Sequence, residues 1–475
     1  MLMTIVNLLA YFLMLAMLGY YIITTLQWYS YRLERVVFHH TKPLWNYLYF
    51  LLPFLSYDFV MGVSHGRYGF IVVLLYLPLF AHWYRQIDKK LVLTGRVKRF
   101  FAALGLFGLF FALALGFESV FVPILLAWLV SVAIEKMLFE GFRKRARKRL
   151  DGLRDMQVVG VTASYGKTSI KNFLATILEE KYRTYATPRS VNTLGGVMKD
   201  VNDDLPENTE IYVVEMGARG EGDIAEISEF VQPHYAVVGV VGPAHIEYFK
   251  TLERIRDTKL EILRSPRLRE AWVHESARID PASDPRIHIF GPEIEAVEAT
   301  LEGTCFTLEG ERYCAKILGA FNAVNLAAAI HVARALGLSP EEIRRGLAKI
   351  EAVPHRLQRI DAGGKVILDD SFNGNIDGMM ASFDLAATWP GRKILITPGL
   401  VEADEALNER LARRANGLFD RIVVTGDLNY AIFRRIVDSK KLRHLERKEE
   451  MQEMLVEETQ PGDLILFAND APSFV

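Results

Sequence analysis

The chain has 475 residues, a formal net charge of −1 and two cysteines, Cys305 and Cys314. The length suggests about three domains, the charge gives no reason to expect a nucleic acid partner, and the cysteines match no metal or redox spacing, so both are expected to be reduced and structurally ordinary. Hydrophobic residues make up 51% of the chain and the mean hydropathy is +0.14, high for a soluble protein, with the excess gathered at the N-terminal end.

Five apolar stretches come before residue 140: Thr4–Leu26, Leu44–Val63, Tyr68–Trp83, Phe100–Phe117 and Val120–Phe139. Each is close to the roughly 20 residues needed to cross a bilayer, so residues 1–150 are expected to form a helical transmembrane domain of about five spans. The first stretch lacks a basic start and a small-residue cleavage site, which makes it a retained anchor rather than a signal peptide. The loops alternate in charge. Arg32, Arg35 and Lys42 lie in the first, and only Arg67 in the second. Arg85, Lys89, Lys90, Arg96, Lys98 and Arg99 fill the third, and the fourth has no basic residue. A basic run at 143–149 follows the last stretch. This pattern places the N-terminus outside and everything after residue 140 in the cytoplasm, at the inner membrane. The basic run is expected to face anionic lipid. Asp58 and Glu135 are the acids in or near the spans, and helix-end placement accounts for them.

The next signal is Val158-Val159-Gly160-Val161-Thr162-Ala163-Ser164-Tyr165-Gly166-Lys167-Thr168-Ser169. An apolar β-branched run enters a short polar loop, the loop ends in Gly-Lys-Thr, and a helix-forming segment follows. Backbone N–H groups and the positive end of the helix can cradle a phosphate chain there. Lys167 would reach the outer phosphates, and the hydroxyl of Thr168 or Ser169 would hold Mg²⁺. The fit to G-x-x-x-x-G-K-[ST] is imperfect, because Gly160 comes one residue too early and Val161 stands where the first glycine belongs.

From Met156 short β-rich runs alternate with amphipathic helices, which predicts an α/β domain with a mostly parallel sheet over 151–354. Strands are predicted at Gln157–Val161, Ile211–Glu215, Tyr235–Val241 and Ala271–His274, and helices at Thr168–Glu180, Asp223–Phe230 and Leu252–Leu263. Glu215 ends a strand beside the phosphate loop, the expected place for a Mg²⁺ ligand. His245 follows another strand near the same sheet edge. Lys259, on a predicted helix, reads by composition as a solvated surface lysine. Helices are predicted at Asn325–Ala335 and Pro340–Lys349, the second opened by a Ser339/Glu342 capping box. Pro354-His355-Arg356 reads as a hinge. Beyond it, strands at Val366–Asp369, Lys393–Thr397, Arg421–Thr425 and Leu464–Ala468 alternate with helices, a smaller Rossmann-like domain over 355–475. The loop Asp369–Asn375 is expected to face a ligand.

Residues 156 to 467 resemble the Mur ligases, ATP-dependent enzymes that join amino acids or dipeptides to the cell-wall precursor. Thr162 through Ser169 resembles the family's Thr-Gly-Thr/Ser-x-Gly-Lys-Thr-Thr/Ser loop, and Ser190 through Val197 its Asn-rich segment. Glu215-Met216-Gly217 and Ala244-His245-Ile246-Glu247 are similar to its two magnesium motifs, and Asp257-Thr258-Lys259-Leu260-Glu261-Ile262 to its Ala-Lys-x-Glu-Ile. Gly319 through Asn325 resembles Gly-x-His-Asn-x-x-Asn, and Asp369 through Asn375 resembles the Asp-Asp-Ser-Tyr-Asn-Ala-Asn of the D-alanyl-D-alanine-adding branch.

The resemblance implies nucleotide binding by Thr162, Ser164, Gly166, Lys167, Thr168, Ser169, Asn322, Asn325, Arg356, Asp370 and Asn373. It implies Mg²⁺ held by Thr168, Glu215, His245 and a carbamylated Lys259, and catalytic roles for Lys167, His245, Lys259 and Glu247. The implied reaction is amide ligation of a muramoyl-peptide carboxylate to D-alanyl-D-alanine with ATP. Departures are Ala163 for Gly, Phe321 for His, Ile376 for Pro, and 462–470, where the family's lysine and arginine are missing. Apolar spans stand where the family has a soluble nucleotide-sugar-binding domain. A ligase of another specificity, such as a poly-γ-glutamate synthetase, and an ATP-binding membrane scaffold are the alternative readings.

Overall fold

The computed structural model describes residues 2–29, 31, 33–38, 42, 44–87, 89–114, 119–243, 249–372, 376–401 and 403–469. They fall into two compact units, Met1–Lys144 and Arg145–Val475.

The first unit is helical. α1 (Leu2–Trp28) carries no charged residue, and α2 (Leu33–Phe38) is a short turn. α3 (Leu44–Asn46) runs through a π-helical turn (Tyr47–Leu51) into α4 (Leu52–Val63). α5 (Gly69–Gln86), α6 (Gly95–Ala114) and α7 (Phe121–Gly152) complete the set. Among the described residues three helices are long and apolar enough to cross a membrane: Met3–Trp28, Gly95–Ala114 and Phe121–Gly152. The expectation of five is therefore met only in part. The second stretch is helical from Leu44 to Val63 but carries a π turn at Tyr47–Leu51. The third carries Pro78 and ends in His82-Trp83-Tyr84-Arg85-Gln86. Asp58 accepts from Ser119 Oγ at 2.7 Å and from Val120 N at 3.1 Å, just ahead of α7, and Glu135 pairs with Arg99. Both acids are accounted for by these pairings.

The second unit holds a parallel sheet of order β2-β3-β1-β4-β5-β6. Its strands are β1 (Gln157–Thr162), β2 (Thr184–Ala186), β3 (Ile211–Glu215), β4 (Tyr235–Val238), β5 (Glu270–His274) and β6 (Ile287–Phe290). The near-continuous Val/Ile runs of β1, β3 and β4 suit strands buried on both faces. β1 is central, and successive crossovers leave it on opposite sides, so the loop after β1 lies where the winding reverses, the usual ligand crevice of an open α/β sheet. α8 (Lys167–Leu178) packs with α12 (Phe321–Ala335), where Ala327, Ala328 and Ala329 are fully buried. Small side chains there let the two helices approach closely. α13 (Pro340–Lys349) begins with the predicted capping box, formed in both directions by Ser339 and Glu342.

A small antiparallel sheet, β7 (Ile294–Thr300), β8 (Gly303–Leu308) and β9 (Glu311–Ala315), went unpredicted. It corrects the cysteines. Cys305 stands directly opposite Cys314 in the β8–β9 register, and the two are disulfide-bonded. The hairpin register, which spacing alone does not reveal, brings them together. The last sheet has order β10-β11-β15-β12-β13-β14, with β10 (Gln358–Ala362) antiparallel to β11 (Lys365–Asp370). β12 (Lys393–Thr397), β13 (Arg421–Thr425), β14 (Leu442–Leu445) and β15 (Leu464–Ala468) run parallel to β11.

The basic run at the end of α7 is not reserved for lipid. Arg147 donates to Phe230 O at 2.8 Å, in the last turn of α10 (Asp223–Val231), and to Gln232 Oε1 at 3.1 Å, just past it. Arg149 donates to the carbonyls of Asn202 and Leu205, at the end of α9 (Leu194–Asp203). Helices end in carbonyls without intrahelical partners and in a partial negative charge, which a guanidinium answers on both counts.

Candidate functional site

The β1–α8 loop is tied to the segment that follows β4. Ser164 N donates to Val240 O at 2.8 Å, Ser164 Oγ to Gly242 O at 2.9 Å, and Gly242 N to Ser164 Oγ at 3.0 Å. Gly166 has φ +79°, and a Cβ there would meet Asn325 Oδ1 at 2.4 Å. Only glycine fits on both grounds. Lys167 Nζ turns back over the loop to Ala163 O at 2.8 Å and Ser164 O at 3.3 Å. Burial pushes its ammonium below the ordinary range, and Glu215 opposes that shift.

The loop borders a cavity of about 590 Å³. Ser164, Tyr165, Gly166, Lys167, Thr168 and Ser169 form one wall, and Arg356, Asp370 and Asp377 come from the region of the last sheet. Tyr165 bridges the two: burial and then the charge of Asp377 push its phenol up to about 12. Asn322 and Asn325 also line the cavity, yet their amides are committed inward. Asn322 Nδ2 donates to Leu318 O at 2.7 Å, and Asn325 Nδ2 to Asn322 Oδ1 at 2.9 Å, so that Asn325 backs Gly166. Asp370 Oδ1 accepts from Leu357 N at 3.1 Å, and Arg356 Nη1 donates to Phe372 O at 2.6 Å.

Glu215 is 1% exposed at the end of β3. The register pairs Val161 with both Glu215 and Val237, which brings these strand ends level with the loop. Its Oε2 accepts from Thr168 Oγ1 at 2.9 Å and its Oε1 from Asn192 Nδ2 at 2.9 Å. Two predicted positions differ from expectation. Thr162 is fully buried, off the cavity wall, and its hydroxyl has no hydrogen-bond partner among the described residues. It supports the loop from beneath. Lys259 is no solvated surface lysine: it is 3% exposed in the last turn of α11 (Leu252–Leu260). Burial, and next the charge of Lys167, lower it to about 7, against Glu261 and Asp223. Glu261 itself accepts from Gly222 N at 2.7 Å and Ala225 N at 3.0 Å, at the start of α10. His245, Glu247 and Asn373 lie outside the described residues. Ala163, fully buried, packs where a Cβ on Gly239 would come within 3.0 Å of its own, so the added methyl points into the core and not at the cavity wall.

Sequence reasoning missed Asn192 and Lys171 as parts of this site. Lys171 had a signal in its spacing, three residues after Thr168 on one helix face.

The arrangement suits a nucleotide with a hard cation. α8 begins at Lys167, and helical geometry leaves its first backbone N–H groups without intrahelical acceptors. Thr168 and Glu215 offer oxygens only, the donor type Mg²⁺ prefers. Among the described residues there is no His/Cys/Asp/Glu group able to bind a metal unaided.

Two family models match the chain, the Mur ligase middle domain over residues 161–333 and the Mur ligase glutamate ligase domain over 355–469. The UDP-N-acetylmuramoyl-tripeptide–D-alanyl-D-alanine ligase of Bacillus subtilis is 28% identical over 334 residues, covering 66% of this chain and 72% of that one. The Escherichia coli enzyme of the same name is 30% identical over 302 residues, covering 58% and 66%. Among solved structures, MurF ligase from Thermotoga maritima in complex with ADP aligns with a TM-score of 0.61 at 28% identity, covering 70% of this chain and 80% of that one. The D-alanyl-D-alanyl ligase of Acinetobacter baumannii aligns at 0.63 and 26%, covering 69% and 76%.

Proposed function

The chain belongs to the Mur ligase family, and from this premise we propose that it is an ATP-dependent ligase adding D-alanyl-D-alanine to a muramoyl-tripeptide. The observation that carries the reading is the phosphate loop, whose Lys167 and Thr168–Glu215 pair face one cavity with Arg356 and Asp370. Magnesium ATP, when bound there, would give its γ-phosphoryl to the donor carboxylate and leave as ADP; the acceptor amine would then attack the acyl carbon, forming the amide and releasing inorganic phosphate and a proton. Lys167 offsets charge on the phosphoryl group during transfer, and the first N–H groups of α8 hold the phosphates. Thr168 and Glu215 would hold Mg²⁺, with His245 and Lys259 as further ligands. Glu247 positions a group near the tetrahedral centre. Ser164, Gly166 and Ser169 shape the phosphate cradle, and Asn322, Asn325, Arg356, Asp370 and Asn373 serve the nucleotide side. Closure of 355–475 onto 151–354 completes the site.

For Lys259 to serve, its amine must gain a carboxylate. A neutral amine adds to CO₂, the C–N bond forms, and one proton leaves to solvent. An ammonium lowered to about 7 supplies that neutral amine near neutral pH. The three apolar helices and the loop charges support a multi-pass protein of the inner membrane with the ligase portion in the cytoplasm.

Full-length protein purified in detergent tests the activity. ADP release should require both UDP-muramoyl-tripeptide and D-alanyl-D-alanine. Release that depends on glutamate instead would overturn this specificity in favour of a poly-γ-glutamate type. Lys167→Ala should lower turnover by about 10²–10³ while leaving the fold intact, and unimpaired complementation of a ligase-deficient strain by that variant would favour a scaffold.

A further inference from the structure

Lys171 lies one turn beyond Lys167 on α8 and is 1% exposed. A buried ammonium must spend its protons on acceptors. Two go to the carbonyls of Thr187 and Arg189, the first at 2.6 Å. Its Nζ stands 3.7 Å from Glu215 Oε2, beyond hydrogen-bond reach but well within range to offset charge in a dry interior. The segment it grips is tied to β3 on either side. Thr187 N donates to Val213 O at 3.0 Å, Thr187 Oγ1 accepts from Glu215 N at 3.1 Å, and Gly217 N donates to Asn192 O at 2.8 Å. The same segment delivers the Asn192 amide to Glu215 Oε1.

These contacts divide the demands on Glu215. A cation bonded directly to it would occupy the lone pairs the metal needs. We propose that Lys171 is a positioning residue of the magnesium site: its bonds to the carbonyls of Thr187 and Arg189 pin the 187–192 segment that orients Glu215 through Asn192, while its Nζ, 3.7 Å from the carboxylate, leaves the lone pairs of Glu215 to the metal. This rests on the magnesium–nucleotide reading above and deepens it.

The test is binding of N-methylanthraniloyl-ADP to full-length Lys171→Met, in EDTA and across a Mg²⁺ titration, beside a melting curve. The variant should melt cooperatively and bind in EDTA within about 2-fold of the parent. The Mg²⁺ concentration that half-saturates the enhancement should rise by about 10-fold or more, the usual loss when a group behind a metal ligand is removed. An unchanged Mg²⁺ midpoint in the folded variant, or an equal loss with and without Mg²⁺, overturns the proposal. If Lys171→Met does not melt cooperatively, Lys171→Leu, which likewise removes every donor, is judged by the same criteria. Failure of both to fold makes Lys171 a structural residue and also overturns the proposal. A parent protein whose nucleotide binding ignores Mg²⁺ sinks the underlying reading itself, an outcome distinct from a Mg²⁺-responsive parent with an equally responsive variant.

Discussion

At the scale of single residues, the site depends on groups whose neighbours forbid substitution. Gly166 combines a left-handed backbone with an Asn325 oxygen where a Cβ would stand. Gly166→Ala should therefore cost about 1–3 kcal/mol in chemical denaturation and weaken nucleotide binding, and a variant as stable as the parent would contradict the geometry. Lys259 makes a prediction in pH. Its folded pKa is lowered from 10.5 to about 7, so between those values the unfolded chain binds more protons than the folded one. Stability must then rise as pH rises through that window, and fall as pH drops from 10.5 towards 7. Denaturation in CO₂-free buffer across pH 7–10, compared with Lys259→Met, should show this slope in the parent alone. Parallel curves would mean that Lys259 titrates normally.

The phosphate lysine and Glu215 were legible because their chemistry is written in local order, strand then loop then helix. The burial of Lys259 was not, because a lysine among Arg256, Asp257 and Glu261 looks like any exposed helix surface. Lys171 was marked only by its spacing from Thr168, which says nothing of what it reaches. Its partners are carbonyls of residues 187 and 189, and no pattern of side chains marks a carbonyl.

At the scale of elements, local rules and long-range pairing part company. The α13 capping box was readable from Ser339 and Glu342 and forms as expected. Ser339→Ala should cost about 1 kcal/mol, measured as a lower melting midpoint with nucleotide affinity unchanged. The strands Ile211–Glu215, Lys393–Thr397, Arg421–Thr425 and Leu464–Ala468 coincide with their predicted bounds, because buried parallel strands are continuous apolar runs between polar turns. The β7–β9 sheet escaped prediction. Its outer strand β7 is mostly exposed, and Glu295 and Glu298 break it so that no apolar run is longer than two residues. With the sheet went the Cys305–Cys314 bond, which that register alone makes. A reductant should lower the melting midpoint, by an amount set by about 2–3 kcal/mol for so short a loop, and the double change Cys305→Ser, Cys314→Ser should remove the effect.

At the scale of the whole molecule, an apolar helical unit precedes a ligase unit. If the loop charges orient the chain as read, protease added to inside-out vesicles should cleave 145–475, and protease added to right-side-out vesicles should spare it. The reverse pattern would invert the topology. The basic run at 143–149 was read as a lipid-facing cluster, yet Arg147 and Arg149 close helix ends in the ligase unit. Charge type is evident in a sequence, but the group that a long side chain reaches is not.

The sequence by itself determined the order of the two units, the α/β class, the phosphate loop and the acid at the end of β3. All of these rest on short-range order and on apolar periodicity, which act within a few residues. Only the tertiary structure decided that Lys259 and Lys171 are buried, that Thr162 lies beneath the loop, that Asn325 backs Gly166 and that Cys305 faces Cys314. Each of those facts depends on which distant backbone arrives alongside. That is settled by how the sheets and helices pack together, and no local pattern encodes it.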